Sequence, residues 1–117
     1  MRYALLIYGT ADSGYDRLTE PELLQMYDEH YAFMAMLQQR NALGDSMELA
    51  DRSTARSIRH RREGSIVVDG PYAESKEVLG GFYVVEAADL DEALSYAEAL
   101  PSLPGDNVEV RPAAEPT

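Results

Sequence analysis

The chain has 117 residues, 45% of them apolar and none of them cysteine, and its 10 basic against 21 acidic residues give a formal charge of −11. This length fits one domain with a self-sufficient core, and the apolar fraction is too high for a disordered chain. Without cysteine there is no disulfide framework, thiolate nucleophile or cysteine-based zinc site; the acidic balance argues against direct nucleic-acid binding; and no stretch approaches the ~18 apolar residues of a membrane span.

Arg2 to Tyr8 reads as a first strand and not as a signal peptide, because one charge and a short apolar run are followed by no small-residue cleavage site. Tyr3, Leu5 and Ile7 point one way and Ala4, Leu6 and Tyr8 the other, so the strand is apolar on both faces, as a central strand covered on both sides would be. Gly9 to Leu18 is polar and turn-rich, a surface loop and a candidate lid over a cleft. Thr19-Glu20-Pro21-Glu22 then starts a helix with a capping box, and Pro21 falls in the first turn, where its missing N–H costs nothing. The helix is predicted to run to about Arg40. Leu23, Tyr27, His30/Tyr31, Met34 and Leu37 form its core-facing stripe, and Met26, Phe33 and Met36 widen the apolar surface. Asn41 suits a left-handed cap.

Ser46 to Ala50 reads as a short strand or an extended segment. Thr54 to Arg59 and Ser65 to Val68 make a hairpin turning at Arg62-Glu63-Gly64. Arg52, Arg56, Arg59, Arg61 and Arg62 put five of the ten cations within eleven positions, with His60 among them. This cluster is either a solvated hairpin tip or a local patch for an acidic ligand or partner. The loop from Asp69 to Gly80 leads to a strand at Gly81–Glu86. Asp89 and Glu92 open a second helix with Leu90, Ala93, Leu94, Ala97 and Leu100 as its stripe, and Pro101 stops it. Asn107 to Arg111 is a half-exposed last strand. The expected organisation is one domain over 1–112 with a tail over 113–117. The fold class is α+β: a ferredoxin-like βαββαβ unit with an extra hairpin, its helices on one sheet face and a second subunit on the other.

Val68-Asp69-Gly70-Pro71-Tyr72-Ala73-Glu74, Lys76-Glu77, Leu79-Gly80-Gly81-Phe82-Tyr83 and Ala88-Asp89-Leu90-Asp91-Glu92-Ala93 together resemble the YCII-related family, in particular its Asp-Gly-Pro-Phe motif branch. Tyr3 to Tyr8, Phe33 and Val108-Glu109-Val110-Arg111-Pro112 also fit, so the resemblance spans nearly the whole chain. Tyr72 stands where the branch name has Phe, and Asn41 where a Gly is expected. The resemblance implies a dimeric α+β barrel and a small enzyme of undefined activity, with a His/Asp pair active in some members. Related domains joined to sigma-factor proteins imply a regulatory role in part of the family.

The residues themselves give the candidate chemistry. His30 and Asp69 are the first pair for general acid–base catalysis, since imidazole titrates near working pH and a carboxylate can fix its tautomer. Each also has a plainer reading: His30 as a core or interface histidine, and Asp69 as a turn residue bonding its own loop. Tyr72, Glu74, Lys76 and Tyr83 are candidate ligand contacts, with Lys76 suited to a carboxylate. Glu74 and Lys76 could equally be solvated surface, pairing with each other and with Glu77, and Tyr72 and Tyr83 plain core aromatics. Two histidines thirty residues apart offer no metal site, and with no phosphate loop and no Rossmann fingerprint no cofactor is expected. Two functions remain open. One is a cytoplasmic, cofactor-free homodimeric enzyme or binder of a small-molecule ligand; the other is a non-catalytic regulatory or protein-interaction module.

Overall fold

A computed structural model describes residues 1–10, 17–72 and 76–115. Residues 11–16 of the candidate lid at Gly9 to Leu18, and the candidate contact Glu74, lie outside the described residues. Six strands and two α-helices follow one another as β1 (Arg2–Thr10), α1 (Glu20–Gln39), β2 (Leu43–Glu48), β3 (Arg56–Arg61), β4 (Gly64–Asp69), β5 (Glu77–Glu86), α2 (Leu90–Ala99) and β6 (Asn107–Pro112), with a short 3-10 turn at Arg52–Thr54. The class is mixed α+β. Four strands make an antiparallel sheet in the order β2-β5-β1-β6, and β3 and β4 pair apart from it as a two-stranded hairpin.

Local chemistry sets the element ends. The Thr19 hydroxyl accepts from the Glu22 N–H at 3.3 Å, and the Glu22 carboxylate accepts from the Thr19 N–H at 3.1 Å, which closes the capping box. Asn41 has φ 55° just past the end of α1, so its backbone takes the left-handed conformation usually given to glycine. Asp89 caps α2 by accepting from the Glu92 N–H at 2.9 Å. Thr19→Ala leaves first-turn amides of α1 without a partner and is expected to lower the melting temperature by about 4 °C, read by circular dichroism.

The core lies between one sheet face and both helices. Tyr3 and Leu5 of β1, Tyr83 and Val85 of β5, Phe33 and Leu37 of α1, and Ala93 and Tyr96 of α2 are buried together, with Leu5, Leu37 and Val85 fully enclosed. Each such aliphatic side chain contributes about 1.5–3 kcal/mol of transfer free energy. The Arg40 guanidinium over the Tyr96 ring, 5.9 Å from its centroid, links the two helices.

Three details differ from the sequence reading. The buried side of α1 is Met26, Phe33 and Leu37, while Tyr31 is 66% exposed. With apolar residues nearly all round this helix, periodicity could not fix its phase; the sheet does. On α2 the enclosed residues are Ala93 and Tyr96, and Leu90 and Leu94 face outward. β5 begins at Glu77 instead of Gly81, so Gly80 and Gly81 belong to a strand. A Cβ on Gly81 would stand 2.7 Å from the Met47 carbonyl oxygen, which is why glycine is needed where β2 pairs closely with β5.

The opposite sheet face is apolar as well. Ala4, Leu6 and Tyr8 of β1 and Phe82 and Val84 of β5 are half-buried there, and Leu6, Phe82 and Met47 form one cross-strand row. The molecule is 19 Å through its thinnest axis, room for one sheet and one helix layer, and no described element packs on this second face. Among the described residues, no helix is long and apolar enough to cross a membrane.

Candidate functional site

A cleft of about 570 Å³ opens between α1 and the end of the sheet formed by β1, β2 and β5. A register shift between Ile7 and Tyr8 shapes its floor: Ile7 pairs with Gly81 and Tyr8 with Leu79, leaving Gly80 as the extra residue of a β-bulge. Leu23, Met26 and Met34 of α1 and Ile7 of β1 give the cleft its apolar wall, and His30, Tyr27, Glu48 and Tyr83 its central polar groups.

His30 is half-buried in this cleft, and its Nδ1 lies 2.7 Å from the Tyr83 hydroxyl. The two ring planes are parallel to within 3°, and Phe33 holds the tyrosine edge-on at a centroid distance of 5.1 Å. Both partners therefore come from packed regular elements, α1 and β5, which favours a fixed geometry. Burial lowers the proton affinity of His30 below the ordinary histidine value, and the negative charges of Glu48 and then Glu29 act in the opposite direction. The Tyr27 hydroxyl donates to Glu48 Oε1 at 3.3 Å, tying α1 to β2, and the Glu48 charge raises the proton affinity of the Tyr27 phenol. The site thus offers an imidazole of lowered proton affinity, a buried phenol and a carboxylate on a largely apolar wall.

The other sequence candidates lie elsewhere. Asp69 ends β4 on the separate hairpin, where its carboxylate meets the Arg56 guanidinium at 3.1 Å with 89% of the side chain exposed. It is not among the residues lining the cleft, and within the chain it is not brought to His30. Gly70, at φ 99°, and the Ser57 hydroxyl donating to the Gly70 carbonyl at 2.7 Å fix the turn that follows it. Tyr72 is 87% exposed and Lys76 is exposed. Of the candidates described, His30 and Tyr83 are brought together. Sequence reasoning named both but could not pair them, because the contact depends on the register of β5 under α1. It took Tyr27 for core and did not single out Glu48, which sits in a short polar strand with no motif around it. Among the described residues, no group of three His, Asp or Glu side chains is placed to hold a metal ion.

The model of the YCII-related domain matches residues 1–115. A protein of Rhizobium meliloti (strain 1021), described only as uncharacterized, is 35% identical over 100 residues, covering 86% of this chain and 80% of that protein.

Proposed function

The chain belongs to the YCII-related domain family, and from that premise we propose that its cleft binds a small, largely apolar organic molecule and moves a proton on it through His30 and Tyr83. The observation that carries this reading is the 2.7 Å contact between the two side chains inside a cleft. An imidazole whose proton affinity is lowered stays neutral near pH 7, and a neutral imidazole can act as a base. The phenol both donates and accepts, so the pair has two arrangements. With Nδ1–H donated to the Tyr83 oxygen, Nε2 takes a proton from the ligand, the imidazolium so formed keeps its Nδ1–H on Tyr83, and the same Nε2–H then returns the proton to another atom of the ligand; with the phenol donating to Nδ1, Nε2–H is a hydrogen-bond donor to the ligand. Base followed by acid is the sequence an isomerisation or an addition–elimination requires, and it calls for no bound cofactor. In this reading Tyr83 takes the orienting role that the family resemblance gives to an aspartate, and Asp69 is a hairpin turn residue.

The same proposal makes the protein a cytoplasmic homodimer of the Asp-Gly-Pro-Phe branch with the dimeric α+β barrel architecture. The strand order supports the βαββαβ unit once the β3–β4 hairpin is set aside. The uncovered row Met47, Phe82 and Leu6 supports a second copy on the outer face.

Nitrogen NMR on histidine-labelled protein tests the site. With two histidines in the chain, His60→Gln leaves His30 as the single signal. Its titration midpoint is expected below the ordinary value of about 6.5, and neutral aromatic or aliphatic fragments that raise the melting temperature are expected to shift it. Fragments that stabilise the protein without moving the His30 signal would place the binding site elsewhere and overturn the proposal.

A further inference from the structure

The β3–β4 hairpin has no evident purpose in the cleft, yet it is the most unusual part of the surface. It pairs only with itself and joins no strand of the main sheet. An isolated two-stranded hairpin is marginal in water and normally needs a surface to pack against. Ile58 and Val67 face each other across it on one side, 61% and 70% exposed. Two β-branched side chains held in register and left in solvent are a cross-strand pair lacking its third partner. The molecule is also extended for its size: the radius of gyration is 16.2 Å, against about 13 Å for a compact domain of this length.

Charge narrows the partner. Arg52–Arg62 holds five of the ten cations and none of the twenty-one acids, so the rest of the chain sets five cations against twenty-one acids. Of the hairpin arginines, Arg56 is paired with Asp69, while Arg59, Arg61 and Arg62 lie exposed toward the tip. The acidic surface that a cationic arm would seek is therefore present, at equal concentration, on every other copy of the same chain.

We infer that the β3–β4 hairpin is an arm inserted into a second copy of this chain and touched by it on both faces, Ile58 and Val67 packing against that copy from one face of the ribbon while Arg59 and Arg61 on the other face, and Arg62 at the turn, meet its acidic surface. The inference rests on the dimer proposed above and adds to it the contact that makes the pair specific. Like-charged bodies at −11 each repel, and an arm of opposite sign offsets that repulsion at one place and in one orientation.

Sedimentation velocity over a dilution series tests both layers. The wild type is expected to be a dimer whose Kd rises with salt, as oppositely charged contacts are screened. Arg59→Glu with Arg61→Glu, and separately Ile58→Ser with Val67→Ser, are each expected to raise Kd by about tenfold or more. These side chains are exposed, so the circular-dichroism spectrum is expected to stay that of the wild type. A direct contact measurement uses the absence of cysteine: a nitroxide on Glu63→Cys at the turn, mixed with isotope-labelled unmodified chain, is expected to broaden signals of the labelled copy. A wild type that stays monomeric overturns the dimer and the arm together. A wild-type dimer indifferent to both substitution pairs, or a nitroxide that broadens nothing in the other copy, overturns the arm and leaves the dimer standing.

Discussion

His30→Gln is expected to slow proton transfer on a bound carbon acid by about 100-fold or more, with the fold intact. The measurement is solvent deuterium uptake into a fragment that binds the cleft and carries an acidic C–H, followed by NMR. Glutamine keeps hydrogen-bonding capacity in the half-buried position next to Tyr83 but has no group that titrates near neutrality. Tyr83→Phe keeps the ring that packs on Phe33 and removes only the hydroxyl 2.7 Å from Nδ1. It is expected to cost about tenfold, because the imidazole loses the partner that fixes its proton. If the pair acts as one unit, the double variant is no slower than His30→Gln alone, since a positioning group has nothing left to position. Asp69→Asn discriminates between partners. With its carboxylate on an exposed ion pair with Arg56, it is expected to change the rate by less than about twofold. A loss matching that of His30→Gln would instead return Asp69 to the site.

The sign of the pH dependence follows from the same burial. The folded-state proton affinity of His30 lies below its unfolded value, so as pH falls through about 6.5 the unfolded chain takes up a proton that the folded chain refuses. The contribution of a neutral His30 to stability is present above that pH and is lost as the pH drops toward the lowered folded value. Glu48 and Glu29, acting against burial, narrow the window. Neutralising Glu48 is expected to widen it.

Much of the fold was legible because it is written in short-range chemistry. Thr19 and Glu22, Asn41, Gly64 and Asp89 each answer a local requirement, a free amide or a positive φ, that needs no knowledge of the rest of the chain. The strands announced themselves as short runs of β-forming residues between turn signals, with clear alternation only in Asn107 to Arg111. Features decided at long range were not legible. Tyr31 and Met26 are both apolar neighbours on α1, and only the sheet beneath decides that Met26 is enclosed and Tyr31 is not. Gly80 and Gly81 look like a turn in sequence, yet they are a bulge and a close strand pairing, because Met47 arrives from another strand. The site divides in the same way. His30 stood out by its chemistry, but its partner lies 53 residues away on a strand whose register no local pattern reports. Asp69 drew notice through its dense polar motif, and in the structure it ends β4 beside Arg56, away from His30.

Leu5→Ala is expected to destabilise the protein by about 3 kcal/mol and lower its melting temperature by about 15 °C. Leu5 is 0% exposed, and its strand register places it between Tyr83 on β5 and Val110 on β6. Packed neighbours on an inner strand cannot collapse into the space left behind, so the cavity term adds to the lost transfer free energy. Against a total of about 5–15 kcal/mol, one such change is a large fraction of what holds a domain together. Its neighbour makes the informative control. Leu6 points to the opposite sheet face, in the row with Phe82 and Met47, where no described element covers it. In a monomer Leu6→Ala would cost about 1 kcal/mol or less, because a half-exposed side chain has little burial to lose. If a second copy covers that face, the cost rises toward that of Leu5→Ala, and it depends on protein concentration because association is linked to folding. Melting both variants at high and at low protein concentration separates the cases. A Leu5→Ala loss that is constant, beside a Leu6→Ala loss that grows as the dimer populates, identifies the outer face as a second core built between two copies. Equal and constant small losses at Leu6 identify it as solvent-facing surface.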